Sequence, residues 1–176
     1  MKHAVLFIAL AAGGAAASAA DSDMILTEDG VVRVRIGMRL QDLQNAVRER
    51  LYFEYDPLLA HACGTVSAKS SRTTGISYTV DDGIVIRISI DAYGDGPHSA
   101  VRTDAGIGLG ATEEEVKQAY GSRLVVQPHP DDPTWHYLVV DSPDRKNAIV
   151  FETNGTKVTH FRVGSYPSIT RPNGCI

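Results

Sequence analysis

Apolar and polar positions alternate strictly in two stretches of this chain. In IVIRISI, Ile84, Ile86, Ile88 and Ile90 fall on one side of an extended backbone, and Val85, Arg87 and Ser89 on the other. In KVTHFRV, starting at Lys157, Phe161 and Val163 take the apolar side and Val158, His160 and Arg162 the opposite one. Asp82-Gly83 and Asn154-Gly155 precede these runs and tolerate the positive φ of tight hairpins. Shorter runs predict strands near Gly64–Ala68, Gly75–Val80, Leu124–Gln127, Trp135–Val140 and Ala148–Glu152. The prolines of QPHPDDP (Pro128, Pro130, Pro133) predict a loop. Helical spacing predicts helices over Leu40–Leu51 and Thr112–Tyr120.

The segment GIGLGATEEEV, from Gly106, leads into the second helix. Its glycines lack the dinucleotide-binding spacing and no P-loop lysine follows. Glu113, Glu114 and Glu115 would repel a phosphate, and Thr112 with Glu115 predicts a capping box that uses the free amides. The loop is therefore a helix entry.

IGMRLQDLQNAV (from Ile36) and LGATEEEVKQAY (from Leu109) match at an offset of about 73 residues, as do the two alternating strands. Gly37 aligns with Gly110, Leu43 with Val116, Val85 with Val158 and Ile88 with Phe161. The expected class is α+β: two tandem helix-then-antiparallel-strand repeats, residues 31–100 and 101–166, forming a sheet with helices on one face. Residues 21–30 read as an N-terminal extension and 167–176 as a tail.

The opening MKHAVLFIALAAGGAAASAADSD has a basic residue, a short apolar run and a small-residue cleavage site near Ala20, which predicts a signal peptide over residues 1–20. That places the mature protein in a bacterial periplasm or outside the cell, with no membrane span. In such a compartment Cys63 and Cys175 are expected to pair. The chain carries 17 Lys and Arg against 21 Asp and Glu, with no basic run, which argues against nucleic acid as a partner.

Candidate chemistry is sparse. His129, Asp131, Asp132 and His136 could serve a metal-dependent hydrolase, yet they lack a repeated ligand spacing and read more simply as a solvated turn. No glycine-flanked serine elbow is present, and no cofactor is implied. The open sheet face remains: Arg87, Ser89, Trp135, Tyr137, His160 and Arg162, rich in the residue types that anchor protein contacts. Trp135 and Tyr137 fit a core role equally well.

GIGLGATEEEVKQAYG, with its counterpart around IGMRLQDLQNAV, resembles the exported tandem-repeat proteins of the β-lactamase-inhibitor-protein type. It is similar also to the small outer-membrane assembly lipoproteins with a helix-pair-plus-sheet unit. The resemblance runs from about Val31 to Val163. It implies two αβ units side by side, a concave sheet surface, and protein binding without catalysis. The chain has no lipobox cysteine, and its two cysteines fall in different halves, where inhibitor-type relatives bridge each repeat internally. The expected function is thus a non-catalytic protein-binding module, an inhibitor or envelope-associated factor, of unstated oligomeric state.

Overall fold

The alternating segments become strands, and the expected extension joins them. The computed structural model describes residues 24–55, 61–92, 99–172, 174 and 175. The expected signal peptide lies outside the described residues. Strands β4 (Leu51–Phe53), β5 (Cys63–Ala68), β6 (Ile76–Asp81), β7 (Ile84–Asp91), β9 (Leu124–Pro128), β10 (His136–Asp141), β11 (Asn147–Thr153) and β12 (Val158–Ser165) form one sheet. Its order is β4-β5-β6-β7-β12-β11-β10-β9, antiparallel throughout. Strands β1 (Ile25–Thr27), β2 (Gly30–Val31), β3 (Val34–Arg35) and β8 (Arg102–Thr103) form a second sheet, ordered β3-β2-β1-β8.

The α+β class expected from the sequence is therefore wrong. Among the described residues, two sheets of eight and four strands stand against three short helices: α1 (Leu40–Val47), α2 (Ser71–Thr74) and α3 (Glu113–Tyr120). The chain is mostly β and is not a helix-then-strand repeat. Two local causes account for the difference. Arg48 adopts a left-handed backbone (φ 57°) and ends α1 after eight residues, so Leu51 to Phe53 can run as a sheet edge. Upstream, Leu26, Val31 and Val34 are buried and bring their short strands onto the large sheet.

The core lies against one face of the eight-stranded sheet. Leu43 of α1, Val116 and Tyr120 of α3, and Leu26, Val31, Val101 and Ile107 from the small sheet and its connections pack onto Ile88, Ile90, Phe151, Phe161 and Val163. The Phe151 ring stacks on Phe161 at 5.8 Å between centroids and tilts against Tyr120 at 5.7 Å. Helix α3 has the capping box: the Thr112 hydroxyl accepts the Glu115 amide at 3.2 Å, and the Glu115 carboxylate accepts the Thr112 amide at 2.7 Å. Such a cap contributes about 1 kcal/mol. On α1, Arg39 occupies the corresponding position and supplies no side-chain cap.

Strict alternation mispredicts the two long strands. Thr79 pairs with Arg87 but Val80 with Val85, leaving Ile86 as an extra residue. Glu152 pairs with His160 but Thr153 with Val158, leaving Thr159 extra. Each bulge shifts the facing by one position. Val85 and Val158, expected on the polar side, are thus buried in the main core.

Candidate binding surface

The second face of the large sheet was expected to be open. Its middle is instead covered by the chain's own tail. After β12, a 3-10 turn (Ser168–Thr170) lays Ile169, fully buried, on Val139, Ala148 and Val150. The tail then crosses β7, and Cys175 forms a disulfide with Cys63 on β5. Three of the expected surface residues lie beneath it: Arg87, Ser89 and Arg162 are 8%, 7% and 6% exposed. They belong to the interior and do not form an open face.

Each arginine under the tail has a defined task. One terminal nitrogen of Arg87 donates to the Arg171 carbonyl at 2.8 Å and to that of Pro172 at 3.2 Å, and the other donates to Pro172 at 3.3 Å. Burial, then the nearby Arg162 charge, pushes its pKa down to about 10, with Asp91 opposing. Gly174 passes close above this guanidinium: a Cβ there would come within 2.7 Å of the Arg87 Cζ, and its φ is +76°. Arg162 donates from Nε to the Ile169 carbonyl at 3.2 Å and from a terminal nitrogen to Glu152 at 3.2 Å. It also lies 5.2 Å from the Tyr137 ring centroid.

Beyond the tail, one end of this face remains accessible. The register aligns Tyr137 with Glu152, Glu152 with His160 and His160 with Asp91, so the four side chains make a row across β10, β11, β12 and β7. His160 Nδ1 meets Asp91 at 2.6 Å. At the row's outer end the β9–β10 hairpin, closed by the His129 amide on the Trp135 carbonyl at 3.0 Å, packs three rings edge-on and tilted against one another. His129 lies 4.6 Å from Tyr137 and 5.5 Å from Trp135, centroid to centroid. Trp135 is 38% exposed and Tyr137 half-buried, which places Trp135 at the surface and Tyr137 at its edge.

The His129 ring is fully engaged. Its Nδ1 accepts the Asp131 amide at 3.1 Å, which puts the ring proton on Nε2, and Nε2 lies 3.3 Å from Glu152. His136 projects to the other face, where its Nδ1 meets Glu113 of α3 at 2.7 Å. Of the alternative cluster His129, Asp131, Asp132 and His136, the structure keeps His129 beside Asp131, at 3.9 Å from Nδ1 to the carboxylate, but turns His136 to the other side of the sheet, because neighbouring strand positions point to opposite sides. Among the described residues no group of three or more His, Cys, Asp or Glu side chains is placed to hold a metal ion. Asp91, Glu152 and the ring role of His129 were missed in the sequence. Glu152 was within reach, since it shares its strand side with Ala148 and Val150, but the cross-strand register was needed to set it beside Tyr137.

The Glu113–His136 pair makes a testable contribution to stability. Burial works against the Glu113 charge, but hydrogen bonds from Thr153 (2.5 Å) and His136, and the charge of Lys117, outweigh it and hold its carboxyl below the ordinary 4.5. A carboxylate lowered on folding stabilises fully above its unfolded value, and that contribution is lost as pH falls through the folded value. Urea midpoints measured from about pH 6 to about pH 3 should fall more steeply for the natural chain than for Glu113→Gln. Parallel curves would remove this role.

No protein-family model matches the chain, and no curated protein matches it. Among solved structures it is similar to an extracellular protein containing a SCP domain from Bacillus anthracis str. Ames, at 11% identity and a TM-score of 0.48. The match covers 93% of this chain and 52% of the other, so the chain spans about half that protein's length. A likeness at this level carries no argument about fold or activity.

Proposed function

We propose that this chain is an exported, non-catalytic protein-binding module whose contact surface is the open end of the second sheet face. The observation that carries the reading is the ring cluster at the β9–β10 hairpin. Trp135 stands exposed beside Tyr137 and His129, and the cluster is braced from beneath by the Arg162–Glu152 pair. Such a site suits recognition: aromatic side chains offer a large contact area with little freedom to lose, and the partly buried ion pair fixes their positions. The Cys63–Cys175 disulfide supports an oxidising compartment, in keeping with the signal peptide read from the sequence. An envelope enzyme or assembly factor is the partner class that fits that location.

The test is site-specific photo-crosslinking in the native envelope. A photoreactive residue replaces Trp135 in one chain and Tyr52, exposed on the opposite sheet edge, in another. A discrete adduct formed from position 135 and absent from position 52 is expected. Affinity for the identified partner should fall at least about tenfold in Trp135→Ala. Adducts of equal pattern from both positions, or an unchanged affinity, would overturn the reading.

A further inference from the structure

Two adjoining cavities lie at the opposite corner of the molecule, between the C-terminal end of α1 and the β2–β3 turn. The larger, about 440 Å³, is lined by Arg33, Arg35 and Arg48. The smaller, about 160 Å³, is mostly apolar, with Met24, Val34, Ile76 and Tyr78 on its walls. They share Val32, Arg33, Ala46 and Val47. No carboxylate of the described residues lines either cavity. A volume of a few hundred cubic ångströms is the usual size of a small-molecule site.

The arginines are poised differently. Arg35 donates to the Val32 and Val34 carbonyls at 3.0 and 3.2 Å, which anchors it to the turn. The guanidinium groups of Arg33 and Arg48 have no partner among the described residues and are exposed. Two of the chain's non-glycine residues with left-handed backbone, Val32 (φ 55°) and Arg48 (φ 57°), both line the basic cavity. A β-branched residue rarely takes that conformation, and a glycine would take it without strain. Strain of this kind persists where a side chain is put to use. Here it sets an apolar side chain on the wall between the basic and the apolar cavity.

We infer that this paired cleft binds a single-chain anionic amphiphile, its carboxylate or phosphate held by Arg33 and Arg48 and its aliphatic chain seated in the apolar cavity. Planar guanidinium groups match both head groups with paired hydrogen bonds. The small apolar volume suits a chain of modest length, and a folded protein or a bilayer surface could not enter it.

Calorimetric titration of the full chain tests this with defined probes. Octanoate and octyl phosphate represent the two head-group sources, octanol and octyltrimethylammonium carry the same tail with neutral and positive heads, and acetate carries the head alone. Saturable binding of one anion per chain is expected, at least about tenfold tighter than octanol. The preferred arm tells a fatty-acid-like ligand from a phosphate-bearing one. Arg33→Ala combined with Arg48→Ala should abolish the preference for anions, and both sites are exposed, so an unchanged circular dichroism spectrum is expected. Val32→Gly should retain the fold and weaken binding of the long-tailed anions. The inference is overturned if neither octyl anion saturates, if octanol binds as tightly, or if the double arginine variant binds as the natural chain does.

Discussion

Replacing Cys175 by Ser should lower the thermal midpoint by roughly 10–20 °C. The bridge joins residues separated by 112 positions. In the chain-entropy account, closing a loop of that length costs the unfolded chain about 4–5 kcal/mol of freedom, which the variant regains. The folded state loses as well. Without the bridge, the tail is held over β7 by the carbonyls that Arg87 contacts, and before that by the Arg162 bond to the Ile169 carbonyl and by Ile169 in its apolar seat. Arg87 and Arg162 carry like charges in a region sheltered from water, so a lifted tail relieves their repulsion and weakens the drive to redock. Cys63→Ser should give the same shift, and the double variant no more than either single one. Scanning calorimetry of the three proteins checks this. A change of less than about 2 °C would mean the bridge does not constrain the chain.

Phe151→Ala should cost about 3–5 kcal/mol, read from urea midpoints at unchanged slope. Phe151 is fully buried on the central face, stacked on Phe161 and tilted against Tyr120. Its loss opens a void where β11, β12 and α3 meet, and close-packed strands on either side cannot collapse into it. Because the two rings touch, the loss in Phe151→Ala combined with Phe161→Ala should differ from the sum of the single losses. A cost below about 1 kcal/mol would show that this layer is loosely packed and that stability resides elsewhere.

Much of the sheet could be read from the sequence because its causes are local. The alternation in residues 84–90 and the Asn154-Gly155 turn specify strand and hairpin by themselves, and Thr112 with Glu115 specifies the start of α3. Two cysteines in a chain whose first 20 residues read as a signal peptide suffice to expect one bridge. What escaped is set by contacts between distant segments. Runs as short as Gly30–Val31 and Val34–Arg35 carry no periodicity, and only burial against the large sheet makes them strands. The facing of Val85 and Val158 depends on bulges, which no pattern in a single strand reveals. The face expected to bind a partner was misjudged for a related reason. Arg87 and Arg162 look like surface residues until the tail supplies their acceptors, and those lie many residues downstream of Arg87. Trp135 and His160 remain at the accessible end, because the tail turns away toward β5 before reaching them.

The two bulged residues mark where this chain can lose one residue without reversing the facing of those around it. Without Ile86, Val85 would still point inward and Arg87 outward in unbroken alternation. The same holds for Val158 and His160 without Thr159. Removing a neighbour such as Ile88 or Phe161 would instead turn every following side chain inside out. Single-residue gaps among evolutionary variants of this protein should therefore gather at positions 86 and 159, and engineered insertions in the sheet belong at the same two places.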